Sequence, residues 1–150
     1  MGTRFHGLFS IGLVVMAVAL AAVTALLTSS VLGLGYLALS ALALLGIFYA
    51  FCAKCPCRLS CGHVLPGMLA SRFVSCEPGP YSKVETAIVM AALLLLLGLP
   101  QAWLWRYPIL LIAFWLSAIV AVIEIRSFVC RACDNTFCPA ASQGSGLSGS

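Results

Sequence analysis

The residues with chemistry to offer are thiols, and they are clustered. Seven of the eight cysteines fall in two short segments, Cys52-Ala53-Lys54-Cys55-Pro56-Cys57-Arg58-Leu59-Ser60-Cys61-Gly62-His63 and Cys130-Arg131-Ala132-Cys133-Asp134-Asn135-Thr136-Phe137-Cys138-Pro139. The eighth, Cys76, lies in the loop that follows the first segment. Each segment opens on a C-x-x-C pair, Cys52 with Cys55 and Cys130 with Cys133. That spacing lets two sulfurs on one turn of chain converge on a single ion. Cys57, Cys61 and His63 add ligands beside the first pair, Cys76 lies further along the same loop, and Cys138 stands beside the second pair. Zinc takes four Cys or His ligands at tetrahedral corners, so these residues suffice for two centres or for one with thiols to spare. The Lys and Arg residues between the cysteines would offset the negative charge of a thiolate centre.

An iron–sulfur cluster is the competing metal reading. Cys138-Pro139 ends as a bacterial ferredoxin run ends, but that run is C-x2-C-x2-C-x3-C-P. The first segment reads C-x2-C-x-C-x3-C and the second C-x2-C-x4-C-P. Neither matches, so zinc is preferred. The remaining alternative is that these are ordinary small apolar residues, since Cys is common in apolar chains. Seven thiols in two short segments are poor support for it.

Other chemistries are missing. No apolar run contains a His, which removes the paired axial ligands of a membrane haem. There is no Gly-rich phosphate loop, no Ser–His–Asp set and no pair of carboxylates, so neither a nucleotide enzyme nor a hydrolase is supported, and no catalytic residue is assigned. The basic residues alternate with thiols and form no nucleic-acid patch. His6 has no neighbour to act with and reads as a solvated interface residue. Glu124 is the one acid in an apolar run; intramembrane acids are functional candidates, but this one lies two residues from Arg126 at the inner boundary, so a snorkelling or paired Glu is the preferred account.

The elements that position the thiols follow from composition. Of the 150 residues 63% are hydrophobic and 8% are charged, about a third of the charge that a water-facing domain uses. A spanning helix needs about 20 apolar residues, and the sequence supplies four such runs, at about 8–27, 31–51, 84–105 and 108–125. The expected fold is therefore an all-α integral membrane protein, a four-transmembrane-helix bundle of two helical hairpins. Its cysteine-rich face comprises the loop 52–83 and the segment 126–139, and residues 140–150 are read as a disordered Gly/Ser-rich tail.

Charge sets the expected orientation. With the N-terminus inside, Arg4, Lys54, Arg58, Arg72, Lys83, Arg126 and Arg131 lie on the inner face and only Arg106 lies outside. This is a strong positive-inside bias, and Trp103, Trp105 and Tyr107 would mark the outer interface. Both termini and all the cysteines are then cytoplasmic, in a bacterial or archaeal inner membrane, where thiols stay reduced and clustered cysteines bind metal or do redox work. The competing reading makes the first run a cleaved signal peptide, but it is longer than the 7–15 residues of a signal core.

Several local features sharpen this outline. Each half is two helices followed by an apolar residue and a C-x-x-C, Phe51-Cys52 and Val129-Cys130. This reads as a parallel repeat about an axis along the membrane normal, or as a coincidence of short motifs. Ala17, Ala21 and Ala25 form a small-residue face on helix 1 that lets a neighbour approach closely, and Gly46 with Ala50 has the same spacing on helix 2. Cys55-Pro56-Cys57 is a stiff turn, 64–73 has the pattern of a short interfacial helix, and Ser82 with Glu85 forms a capping box. Pro100 should free a backbone carbonyl and bend helix 3, and Gln101 could bond across the bundle.

Three functions fit these readings. The first is a non-enzymatic membrane module whose cytoplasmic metal site staples the hairpins and presents a face to a partner, either a second copy or another membrane subunit. The second is a small electron-transfer subunit with an iron–sulfur centre. The third is a soft-metal or thiol-based transporter with Cys52, Cys55, Cys130 and Cys133 as its entry port.

Overall fold

In the computed structural model, residues 2–52, 54, 79–131 and 135 are described, and the described residues contain helices and turns but no strand. Helix α1 runs Gly2–Thr28 and α2 runs Ser30–Ile47, continued by a π-helical turn Phe48–Cys52. Helix α3 (Lys83–Gly98) is followed by a short α4 (Gln101–Leu104), then by α5 (Pro108–Glu124), which is continued by a second π-helical turn, Ile125–Cys130. Four segments are long and apolar enough to cross a membrane: Arg4–Thr28, Ser30–Cys52, Lys83–Leu104 and Pro108–Cys130.

The first segment begins earlier than its hydropathy implies. Residues 2–7, expected as a lead outside the helix, are helical. No Pro or Asp interrupts them, and His6 gains a tertiary contact only if the helix extends to include it. Several hydroxyls inside the apolar helices return to their own backbone, though the buried one of Ser40 does not. Ser10 donates to the Gly7 carbonyl, Thr24 to the Leu20 and Ala21 carbonyls, and Ser117 to the Ala113 carbonyl, each at 2.8–2.9 Å. Each hydroxyl is thereby satisfied without water, as a lipid surround requires.

The break between α1 and α2 is a single extended residue, Ser29. A turn this tight brings the helices close at once, and Gly33 makes that possible. A Cβ there would lie 2.9 Å from the Leu26 Cα and would overlap the Leu26 side chain.

Helix α1 packs most extensively on α5, then on α2, and α2 packs in turn on α3. The core is small-sided. Ala17, Ala21, Ala22 and Ala25 of α1 are buried against Tyr36, Trp103, Leu104 and Phe114, and Ala43 of α2 meets Ala92 and Leu96 of α3. Close approach of small residues is how apolar helices associate where water supplies no driving force. Helix α1 thus carries much of the core.

The second hairpin is more open, because of Pro100. It has no N–H to give the Leu96 carbonyl, and the Tyr36 hydroxyl donates to that oxygen instead, at 3.3 Å. The Gln101 side-chain amide donates to the Leu97 carbonyl at 2.8 Å and its oxygen accepts from Trp115 Nε1 at 3.3 Å, a bond that ties α4 to α5. The chain turns at Leu99 and Pro100, so α4 leans towards α1. Trp103, expected at the interface beside Trp105, is buried instead: its Nε1 donates to the Ala21 carbonyl at 3.1 Å, and its ring meets Tyr36 edge to face. Trp105 stays exposed. Positions two apart on a helical stretch face different sides, so one tryptophan points inward and the other out.

Candidate functional site at the cysteine-bearing end

The first cysteine of each C-x-x-C pair sits on helix and not in loop. Cys52 is the last residue of one π-helical turn and Cys130 the last residue of the other. Single π-turns are uncommon and recur at functional sites, because widening the helix by one residue re-aims the side chains beyond it. Both thiol-bearing residues are half-buried.

The two hairpins are tied crosswise at this end. Tyr81, just before α3, stacks on Phe51 of the first π-turn, with ring centroids 4.4 Å apart and planes 12° from parallel. Its hydroxyl donates to the Phe51 carbonyl at 3.4 Å. On the other side His6 of α1 stacks on Phe128 of the second π-turn, at 3.9 Å and 5°. A short polar contact accompanies each stack: the Lys54–Glu85 ion pair, with Nζ 2.7 Å from Oε1, and the His6–Glu124 hydrogen bond, with Nδ1 2.7 Å from Oε2. The end of each hairpin is therefore fastened to the entering helix of the other.

A further contact joins the two cysteine-bearing segments. The buried Asn135, two residues beyond Cys133 in sequence, donates through Nδ2 to the Tyr81 hydroxyl at 3.2 Å. Tyr81 is thus linked on one side to the residue before Cys52 and on the other to the segment that follows Cys130.

Glu124 is paired, one of the two accounts preferred for it. Its partner is His6 and not Arg126, because residues two apart on a helix face different sides and α1 brings His6 directly opposite. His6, expected to be solvated and without a partner, is for the same reason the residue that closes α1 on α5. Nothing local pointed to this pair, since its members are 118 positions apart. The capping box is present: Ser82 Oγ accepts from the Glu85 N–H and Glu85 Oε2 from the Ser82 N–H. Glu85 uses its second oxygen for Lys54, so one carboxylate starts α3 and also holds the end of the first hairpin.

Of the sequence-predicted ligands, only Cys52 and Cys130 are among the described residues. Cys55, Cys57, Cys61, His63, Cys76, Cys133 and Cys138 lie outside them, as do the expected interfacial helix at 64–73 and the tail at 140–150. Among the described residues no three of His, Cys, Asp and Glu gather as a metal site would need.

The two cross-ties are similar in kind, but the hairpins themselves are packed differently. Helices α1 and α2 pack along their length, whereas α3 and α5 are joined chiefly through α4. Comparison with known proteins leaves the chain on its own terms: no family model, no curated protein and no solved structure matches it.

Proposed function

We propose that this chain is a non-enzymatic integral membrane protein whose cysteine-bearing end faces the cytoplasm and binds zinc, and that the metal staples the two hairpins and presents a partner-binding face. The observation that carries the reading is the crosswise fastening of the hairpins at the end where both C-x-x-C pairs begin. Two stacks, the Lys54–Glu85 ion pair and the His6–Glu124 and Asn135–Tyr81 hydrogen bonds already draw the two thiol segments towards one another. A metal bound by Cys52 and Cys55 together with Cys130 and Cys133 would extend the same fastening, with Cys57, Cys61, His63, Cys76 and Cys138 available for a second centre. Tetrahedral thiolate coordination adds stability to a small fold outright, which suits a bundle whose own core is mostly alanine.

The test is elemental analysis with an absorbance spectrum on protein purified anaerobically in detergent. About one or two zinc per chain without visible absorption supports the structural module. Iron with acid-labile sulfide and a broad visible band replaces it with the electron-transfer reading. Thiols oxidised in pairs with no metal would show that the cysteines face the oxidising side and that the orientation is reversed.

A further inference from the structure

At the cysteine-bearing end four basic residues are exposed and, among the described residues, in no ion pair: Arg4 on α1, Lys83 at the start of α3, Arg126 in the second π-turn and Arg131 just beyond it. The two acids described at this end are both engaged, Glu124 by His6 and Glu85 by Lys54. At the opposite end the only described charge is Arg106.

The His6–Glu124 contact fixes the depth of Arg4 and Arg126. Helices α1 and α5 run antiparallel, with the pair directly across the seam. Arg4 lies two residues before His6 and Arg126 two residues after Glu124, so each stands about 3 Å further towards the same rim, at about 1.5 Å per residue. Phe5, beside Arg4, and Phe9, deeper on α1, are exposed, whereas Phe128 lies between Arg126 and Arg131. Two guanidiniums at one level, over the α1 rings that lie where acyl chains begin, match the phosphate and glycerol layers of a phospholipid leaflet, with Arg131 further out at the same end.

We infer that this rim is a binding surface for anionic phospholipid headgroups, made by Arg4, Lys83, Arg126 and Arg131. A monoanionic phosphodiester whose headgroup carries no amine, as in phosphatidylglycerol, supplies the charge that the rim lacks. A zwitterionic lipid brings its own ammonium into the same layer and gains less. The His6–Glu124 pair has a part in this, because it keeps the one carboxylate of the α1/α5 seam occupied and away from the neighbouring arginines. The surface rests on the membrane reading above and is independent of the metal.

The experiment is native mass spectrometry of the full chain in detergent, with phosphatidylglycerol and phosphatidylethanolamine of matched acyl chains added in equal amounts. The wild type should retain phosphatidylglycerol over phosphatidylethanolamine by about fivefold or more, the scale set by a single basic residue at an anionic surface. The variant carrying R4Q, K83Q, R126Q and R131Q should bring that ratio close to one, while R106Q keeps it. Should the fourfold variant lose its helical circular dichroism, the R4Q/R126Q pair serves instead, and it should give an intermediate ratio. His6→Gln, which releases Glu124, should lower the preference, and Glu124→Gln should not. Equal retention of the two lipids by the wild type overturns the inference, and so does a preference that survives the substitutions or is lost equally in R106Q. Cell fractionation reads the membrane assignment separately: a chain recovered in water without detergent overturns both, whereas a membrane-borne chain without preference overturns the lipid surface alone.

Discussion

Two residues with little to recommend them in the sequence hold the bundle's seam. His6 and Glu124 meet at 2.7 Å, part-buried, with the imidazole laid flat on Phe128. A hydrogen bond to a charged group contributes about 1.5–3 kcal/mol, and stranding one partner costs the desolvation of the other. Glu124→Ala and His6→Ala should therefore each lower stability by about 1–3 kcal/mol, measured as the detergent-solubilised unfolding midpoint. The double variant should lose less than the sum. His6→Phe keeps a ring for Phe128 but has no donor, and should fall between wild type and His6→Ala. Additive single losses would show that the two side chains do not act as a pair.

Among the elements, the segment from α3 through α4 shows how one proline decides a neighbour's role. Pro100 leaves the Leu96 carbonyl without its helical donor, and Tyr36 of α2 supplies one from across the bundle. Trp103, three residues on, lies in the core, where it donates to the Ala21 carbonyl. Tyr36→Phe should cost about 1–3 kcal/mol, the penalty for a buried acceptor left unpaired. In a Pro100→Ala background the new N–H at position 100 can serve Leu96, and Tyr36→Phe should then cost less than half as much. The double-mutant cycle of unfolding midpoints reads this coupling directly, and a Tyr36→Phe cost unchanged by Pro100→Ala would rule out the exchange of donors. The proline in the sequence announced the freed carbonyl; it could not say that α2 would answer it.

For the molecule as a whole, the thiol-bearing end is where stability and function should coincide. The core contributes modestly because much of it is alanine. If zinc fastens the hairpins, chelation under reducing conditions should lower the unfolding midpoint by several degrees while leaving helical circular dichroism almost unchanged. Helix formation in an apolar surround does not depend on how the helices are held together. Serine at Cys52 and Cys130 together should abolish that chelator effect and reduce bound zinc. A midpoint insensitive to chelator in protein shown to contain zinc would separate binding from fastening.

What the sequence determined by itself is what hydropathy, helix-start chemistry and proline geometry dictate locally. The four apolar runs, the polar break at Thr28-Ser29-Ser30, the alanine face at Ala17, Ala21 and Ala25, the Ser82–Glu85 cap and the bend at Pro100 all follow from neighbours a few residues apart. The tertiary structure alone decided whatever depends on which helices lie side by side. It set His6 against Glu124 across 118 positions, put Trp103 inside while Trp105 stayed out, and stacked Tyr81 on Phe51. It also carried the helices to Cys52 and Cys130 through π-turns that no local pattern announces. The physical reason is that an apolar helix is stable in lipid whatever it touches. Its sequence therefore specifies that it exists, whereas the partners of its few polar groups are fixed only when the helices pack.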